Sequence, residues 1–90
     1  MEALTEQQRE KIVAALNAHT DCLTSQAILL GKGSSQKADS LVQAARSKCT
    51  GSYEAAAKAY AAAQIDDVPS SAREAAEAKA IQNVARMMAQ

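Results

Sequence analysis

Apolar residues recur every three or four positions over three long stretches of the chain, and two short segments rich in Gly, Ser, Asp and Pro separate them. This spacing is typical of helices that bury one face. Thr5, followed three residues later by Gln8, has the form of a capping box, and Gly31 has the position of a terminating glycine. The first stretch therefore predicts a helix over about 6–30. Its apolar row consists of Ile12, Leu16, His19, Leu23, Ala27 and Leu30.

The second stretch predicts a helix over about 36–64, and the third predicts one over about 70–89. The apolar row of the second runs through Leu41, Cys49 and Tyr60 without a change of phase. Gly51 lies within it and lowers the local helix propensity by about 1 kcal/mol relative to Ala. One continuous helix is the first expectation, and a break at residues 50–52 is the alternative.

The composition favours a fold made only of helices. Alanine, the strongest helix former, occupies 22 of the 90 positions, whereas Phe and Trp are absent. We expect one small all-α domain over residues 1–90. Its first two helices would form a long antiparallel hairpin, and a third, C-terminal helix would complete a three-helix-bundle-like arrangement.

The predicted core is thin, because buried alanine removes little apolar area from water. Small domains of this kind often depend on a covalent link or a partner. The first helix also carries more apolar side chains than two alanine-rich neighbours would cover, and a methionine pair ends the third helix. The interface candidates are Ile12, Val13, Ile28, Leu29, Leu30, Met87 and Met88.

The two cysteines, Cys22 and Cys49, lie on the apolar sides of the first and second predicted helices. A disulfide between them would need Cα atoms within about 7 Å. A second helix that began at Ser35 would set the cysteines about 9 Å apart along the axis. A disulfide therefore predicts that residues 34–38 are not helical, or that the helices shift against each other. One cysteine on each arm resembles, in layout only, small bacterial periplasmic helical hairpins.

Two other interpretations of the cysteines stay open. Both can be reduced thiols packed as small apolar groups, as in a cytosolic protein. Alternatively, His19, Cys22 and Cys49 can form a metal site, since His19 and Cys22 share a helix face. That set lacks the fourth ligand of a structural zinc site.

Charge and hydropathy limit the classes of partner and the cellular locations that the sequence favours. Ten basic and ten acidic residues give a formal net charge of zero, and no basic patch with aromatic residues predicts a nucleic-acid partner. No apolar run is long enough to predict a transmembrane segment. Charged residues interrupt the first 11 positions, so this segment does not have the apolar stretch that a signal peptide requires. A periplasmic or secreted location would therefore apply to a mature form, and a cytoplasmic one would apply if the thiols are free.

The sequence favours a small non-enzymatic protein that acts through protein contacts, as a homo-oligomer or an accessory subunit. It contains no nucleophile–base pair that predicts a catalytic centre, and no motif that predicts a cofactor. The second hypothesis is a metal- or ligand-binding helical module that uses His19, Cys22 and Cys49. The third is a cytosolic helical protein with buried thiols.

Overall fold

A computed structural model of the chain describes residues 4–89. The remaining residues of the predicted domain 1–90, residues 1–3 and 90, lie outside the described part. Every regular element in residues 4–89 is helical, which confirms the all-α class. The elements are α1 (Glu6–Gly31), α2 (Ala38–Ala45), a 3₁₀ turn (Arg46–Lys48), α3 (Thr50–Ala62) and α4 (Ser70–Met88).

Helix α1 begins and ends almost where the sequence places it. The capping box is present: the Gln8 amide donates to Thr5 Oγ1 at 3.1 Å, and the Thr5 amide donates to Gln8 Oε1 at 2.9 Å. Gly31 is still helical, and Lys32 beyond it is extended. A Cβ at Gly31 would lie 2.9 Å from Leu41 Cδ1. The close approach of the Leu41 side chain of α2, rather than a left-handed cap, therefore favours glycine here.

The prediction of a single helix over 36–64 is wrong. The chain forms α2, the 3₁₀ turn and α3 instead, so the structure has four α-helices rather than a hairpin plus one helix. The break centres on Cys49, whose φ of −121° and ψ of 26° lie outside the helical region. It precedes the alternative break at 50–52, and α3 runs through Gly51. Weak helix formers around it, such as Ser47, Thr50 and Ser52, keep the cost of the interruption low.

The relative directions of the helices follow from their contacts. Helices α2 and α3 together return along α1: Cys49 lies near Cys22, whereas Gln8 Nε2 near the start of α1 donates to the Ala62 carbonyl at 3.5 Å. Helix α4 runs parallel to α1, because Asn83 near its end donates to Thr24 near the end of α1. The bundle is elongated, with extents of 47 × 21 × 17 Å.

The buried residues form two clusters along α1. We call the first the Leu41 cluster; its members are Leu23, Ala27, Leu41, Val42, Ala45, Cys49, Ala80 and Val84. We call the second the Tyr60 cluster; its members are Ile12, Ala56, Tyr60 and Val68. Helices α3 and α4 both pack on α1 but have at most marginal contact with each other. A cleft therefore lies between α3 and α4, and His19 of α1 lies at its base.

Candidate functional site

The cysteines lie at disulfide-bonding distance, with Cα atoms 5.9 Å apart. Cys49 is buried and Cys22 is half-buried. The geometric expectation for residues 34–38 is met except at Ala38, the first residue of α2. The late start of α2 and the short 3₁₀ turn bring Cys49 level with Cys22. Local chain geometry thus positions the pair.

His19 lies one helical turn before Cys22 and is 4% exposed. Its Nδ1 lies 2.7 Å from the hydroxyl of Ser52 in the first turn of α3. The same hydroxyl donates to the Cys49 carbonyl at 3.0 Å. The ring of Tyr53 packs edge-on against the imidazole, with ring centroids 5.7 Å apart. His19 thereby links α1 to the start of α3, immediately beside the cysteine pair.

These contacts indicate which nitrogen of His19 carries the proton. Ser52 has one hydroxyl hydrogen, and both of its contacts are satisfied only if His19 Nδ1–H donates to Ser52 while Ser52 donates to Cys49. Nε2 is then an acceptor. It has no partner among residues 4–89, where no buried polar side-chain atom is left unpaired, so Nε2 reaches solvent in the cleft. Burial lowers the pKa of His19 below its ordinary value of 6.5, and the Glu77 carboxylate offsets part of that effect. The ring is therefore neutral at pH 7.

The cleft above His19 encloses about 380 Å³. Thr50, Tyr53 and Glu54 of α3 line one wall, and Arg73 and Glu77 of α4 line the other. Arg46 of the 3₁₀ turn completes the lining.

Arg46 closes one part of the cleft by bridging to α4. Its Nε donates to one carboxylate oxygen of Glu77 at 3.1 Å, and its Nη2 donates to the other. The Arg46 side chain is 56% exposed and that of Glu77 is 13% exposed. The bidentate pair fixes the 3₁₀ turn against α4, and it neutralises a carboxylate that is largely buried.

Sequence reasoning found His19 but missed this cleft. Arg46 and Glu77 are 31 residues apart on different elements, so no local spacing signals their contact. Within residues 4–89, no group of three or more His, Cys, Asp or Glu side chains is arranged to hold a metal ion. The residues of the predicted metal site are placed differently: the two cysteines face each other, and His19 Nδ1 contacts Ser52.

The structure separates the interface candidates. Ile12 is 5% exposed and belongs to the Tyr60 cluster, so its prediction as an interface residue is wrong. Its side chain completes the row of α1 that faces α3. Ile28 is half-buried against the Leu41 cluster. Val13 is exposed, but it is isolated from the other large exposed apolar residues. At 1.5 Å per residue it lies about 24 Å along α1 from Leu29.

The other four candidates lie at one end of the molecule, where the parallel helices α1 and α4 both finish. We call this group the apolar end. It consists of Leu29 (56% exposed), Leu30 (40%), Met87 (53%) and Met88 (43%). Among the described residues, no helix is both long and apolar enough to span a membrane.

Comparisons with protein-family models, with curated proteins and with solved structures gave no match to this chain.

Proposed function

We propose that this chain is a small non-enzymatic helical protein that acts through protein contacts at the apolar end. The contact would be made with a second copy or with a larger assembly in which the chain is an accessory subunit. The observation that carries the proposal is the concentration of four large exposed apolar side chains at the joint end of α1 and α4. Single exposed apolar residues are ordinary on a monomer, but a group of them at one end marks an interaction surface.

The energetics favour such a contact. Fully burying one Leu or Met side chain contributes roughly 1.5–3 kcal/mol. Leu29, Leu30, Met87 and Met88 keep about half of their area in water, so covering all four would contribute several kcal/mol. Methionine also adapts to irregular partner surfaces, because its side chain is unbranched and flexible.

The cysteine pair supports an oxidising location for this protein. Cys22 and Cys49 are at bonding distance, and disulfides persist mainly in secreted and periplasmic proteins. We therefore place the protein in the periplasm or outside the cell as part of the proposal. The alternative is a cytosolic protein in which both thiols stay reduced and buried.

The association is tested by the concentration dependence of molar mass in sedimentation velocity. We expect the wild-type chain to associate at concentrations where the Leu29→Gln/Met87→Gln variant is monomeric. Val13→Gln is the matched control, because Val13 is equally exposed on α1 but lies far from the apolar end. A wild-type chain that stays monomeric, and that exposes no surface to an apolar dye, would contradict the proposal.

The location is tested through the state of the cysteines. The intact mass of protein from its native cell, alkylated without reductant, should show a monomer with no added alkyl group. Two alkyl groups would indicate the cytosolic alternative. Alkylation that appears only after a chelator is added would indicate the metal site of His19, Cys22 and Cys49.

A further inference from the structure

We infer that the cleft between α3 and α4 binds a small zwitterion of the α-amino-acid type, held between Glu54 on one wall and Arg73 on the other. This site is separate from the apolar end, and it does not depend on the protein contact proposed there. Its volume of about 380 Å³ is within the range of small-molecule sites, roughly 300–1,000 Å³.

The charge arrangement indicates a ligand that carries both signs. Two Arg and two Glu side chains line the cleft. Arg46 and Glu77 neutralise each other in a bidentate pair, which leaves Glu54 and Arg73. Neither of these two makes an ion pair with another residue of the described range 4–89. Because they lie on opposing helices, an ammonium group and a carboxylate on one small molecule can meet them at the same time.

The ammonium end has two further partners beside Glu54. The preceding residue on α3, Tyr53, presents an aromatic ring, which attracts cations. His19 Nε2 is an acceptor because its Nδ1–H is engaged by Ser52. An acceptor nitrogen, a carboxylate and an aromatic ring together favour a protonated amine.

The groups still available to a carboxylate are donors, because the Glu77 carboxylate in the same lining is already paired with Arg46. Arg73 offers a planar guanidinium, which matches a carboxylate in two parallel hydrogen bonds. Arg46 donates to Glu77 from Nε and Nη2, so its Nη1 stays available. The unpaired charged groups of the two walls, Glu54 on α3 and Arg73 on α4, therefore have the opposite signs that a zwitterion requires.

The test is an amide-resolved NMR titration of the full chain at pH 7.5 with L-leucine as the probe. Two matched compounds separate the charges: 4-methylpentanoate lacks only the ammonium group, and 3-methylbutylamine lacks only the carboxylate. We expect saturable shifts at residues 19, 50–54 and 73–77, with both single-charge compounds binding at least about tenfold more weakly, the factor that loss of one charge-assisted contact produces.

Variants assign the two ends. Glu54→Gln and Arg73→Gln should each weaken L-leucine binding by about tenfold or more. Glu10→Gln and Arg86→Gln are the controls, because they make the same changes at exposed positions of α1 and α4 outside the cleft.

Three results would overturn the inference. One is the absence of saturable shifts up to about 20 mM probe, because the dissociation constant would then be too high for a specific site. Another is equal binding of all three compounds, which indicates adsorption of the apolar tail. The third is a set of shifts confined to Leu29, Leu30 and the end of α4. None of these results bears on association at the apolar end in the absence of a ligand.

Discussion

The Leu41 cluster and the Tyr60 cluster are built from different side chains. Branched aliphatic residues fill the Leu41 cluster, and Leu23, Leu41, Val42 and Val84 are all fully buried. The Tyr60 cluster consists of one isoleucine, one valine, one alanine and a tyrosine, and three of the four retain 5–8% exposure. Five alanines pack against it together with Leu4, Leu16, Tyr53 and Ile65, and all of these are only partly buried, so the apolar area in this region is incompletely removed from water.

The cysteine pair lies beside the better-filled of the two clusters. A thin core suggests that a covalent link should reinforce the weaker part of the molecule. Instead, Cys49 belongs to the better-filled Leu41 cluster. The disulfide therefore does more to hold the break between α2 and α3 against α1 than to compensate for the smaller apolar content of the Tyr60 cluster.

The largest effect should come from removing the covalent link. We expect Cys22→Ser/Cys49→Ser to lower the free energy of unfolding by about 3–4 kcal/mol, because the bond closes a loop of about 28 residues in the unfolded chain. Urea unfolding followed by circular dichroism measures the change. An equally stable variant would show that the bond is absent or that it does not constrain the unfolded chain.

A smaller and more discriminating effect should separate the two clusters. Leu23→Ala in the Leu41 cluster should cost about 3 kcal/mol, whereas Leu16→Ala beside the Tyr60 cluster should cost about 1–2 kcal/mol. Both changes are made on α1 with the same pair of residue types, so their helix propensities cancel. Equal losses, measured by urea unfolding under one set of conditions, would remove the distinction between the clusters.

The smallest effect concerns His19, which lies on α1 between the two clusters. Burial holds its folded-state pKa below 6.5, so the unfolded chain binds the proton more readily. The stabilising contribution of neutral His19 is therefore complete above about pH 6.5 and is lost as pH falls from there through the lowered folded-state pKa. Urea midpoints between pH 7.5 and 5 should show this decline.

The matched control for the pH experiment is His19→Gln. Glutamine keeps a polar side chain near Ser52 but does not titrate, so its midpoint should change less with pH over the same range. An identical decline in both proteins would assign the pH dependence to other groups.

The sequence predicts what local spacing controls. The all-α class, the extent of α1 and its Thr5–Gln8 capping box are all confirmed. The face that carries Leu23 and Ala27 is buried, and the two cysteines meet. Each of these features depends on residues within a few turns, or on one pair whose geometry can be worked out from helix dimensions.

The features that were missed depend on how the helices pack. The row from Leu41 through Cys49 has the same period in one helix as in two, so periodicity alone gives no sign of the break. The burial of Ile12 depends on Tyr60, 48 residues away in the chain. The cleft requires α3 and α4 to pack on α1 while remaining apart, and no residue spacing encodes that arrangement.

Helix α1 contributes buried residues to both clusters, with Ile12 in one and Leu23 and Ala27 in the other. Because α3 packs on α1 and has little contact with α4, it can detach locally while α2 and α4 stay packed on α1. Losing α1, however, removes both clusters at once. Its central amides should therefore exchange with solvent only when the whole molecule unfolds, whereas the amides of α3 have a route through partial opening.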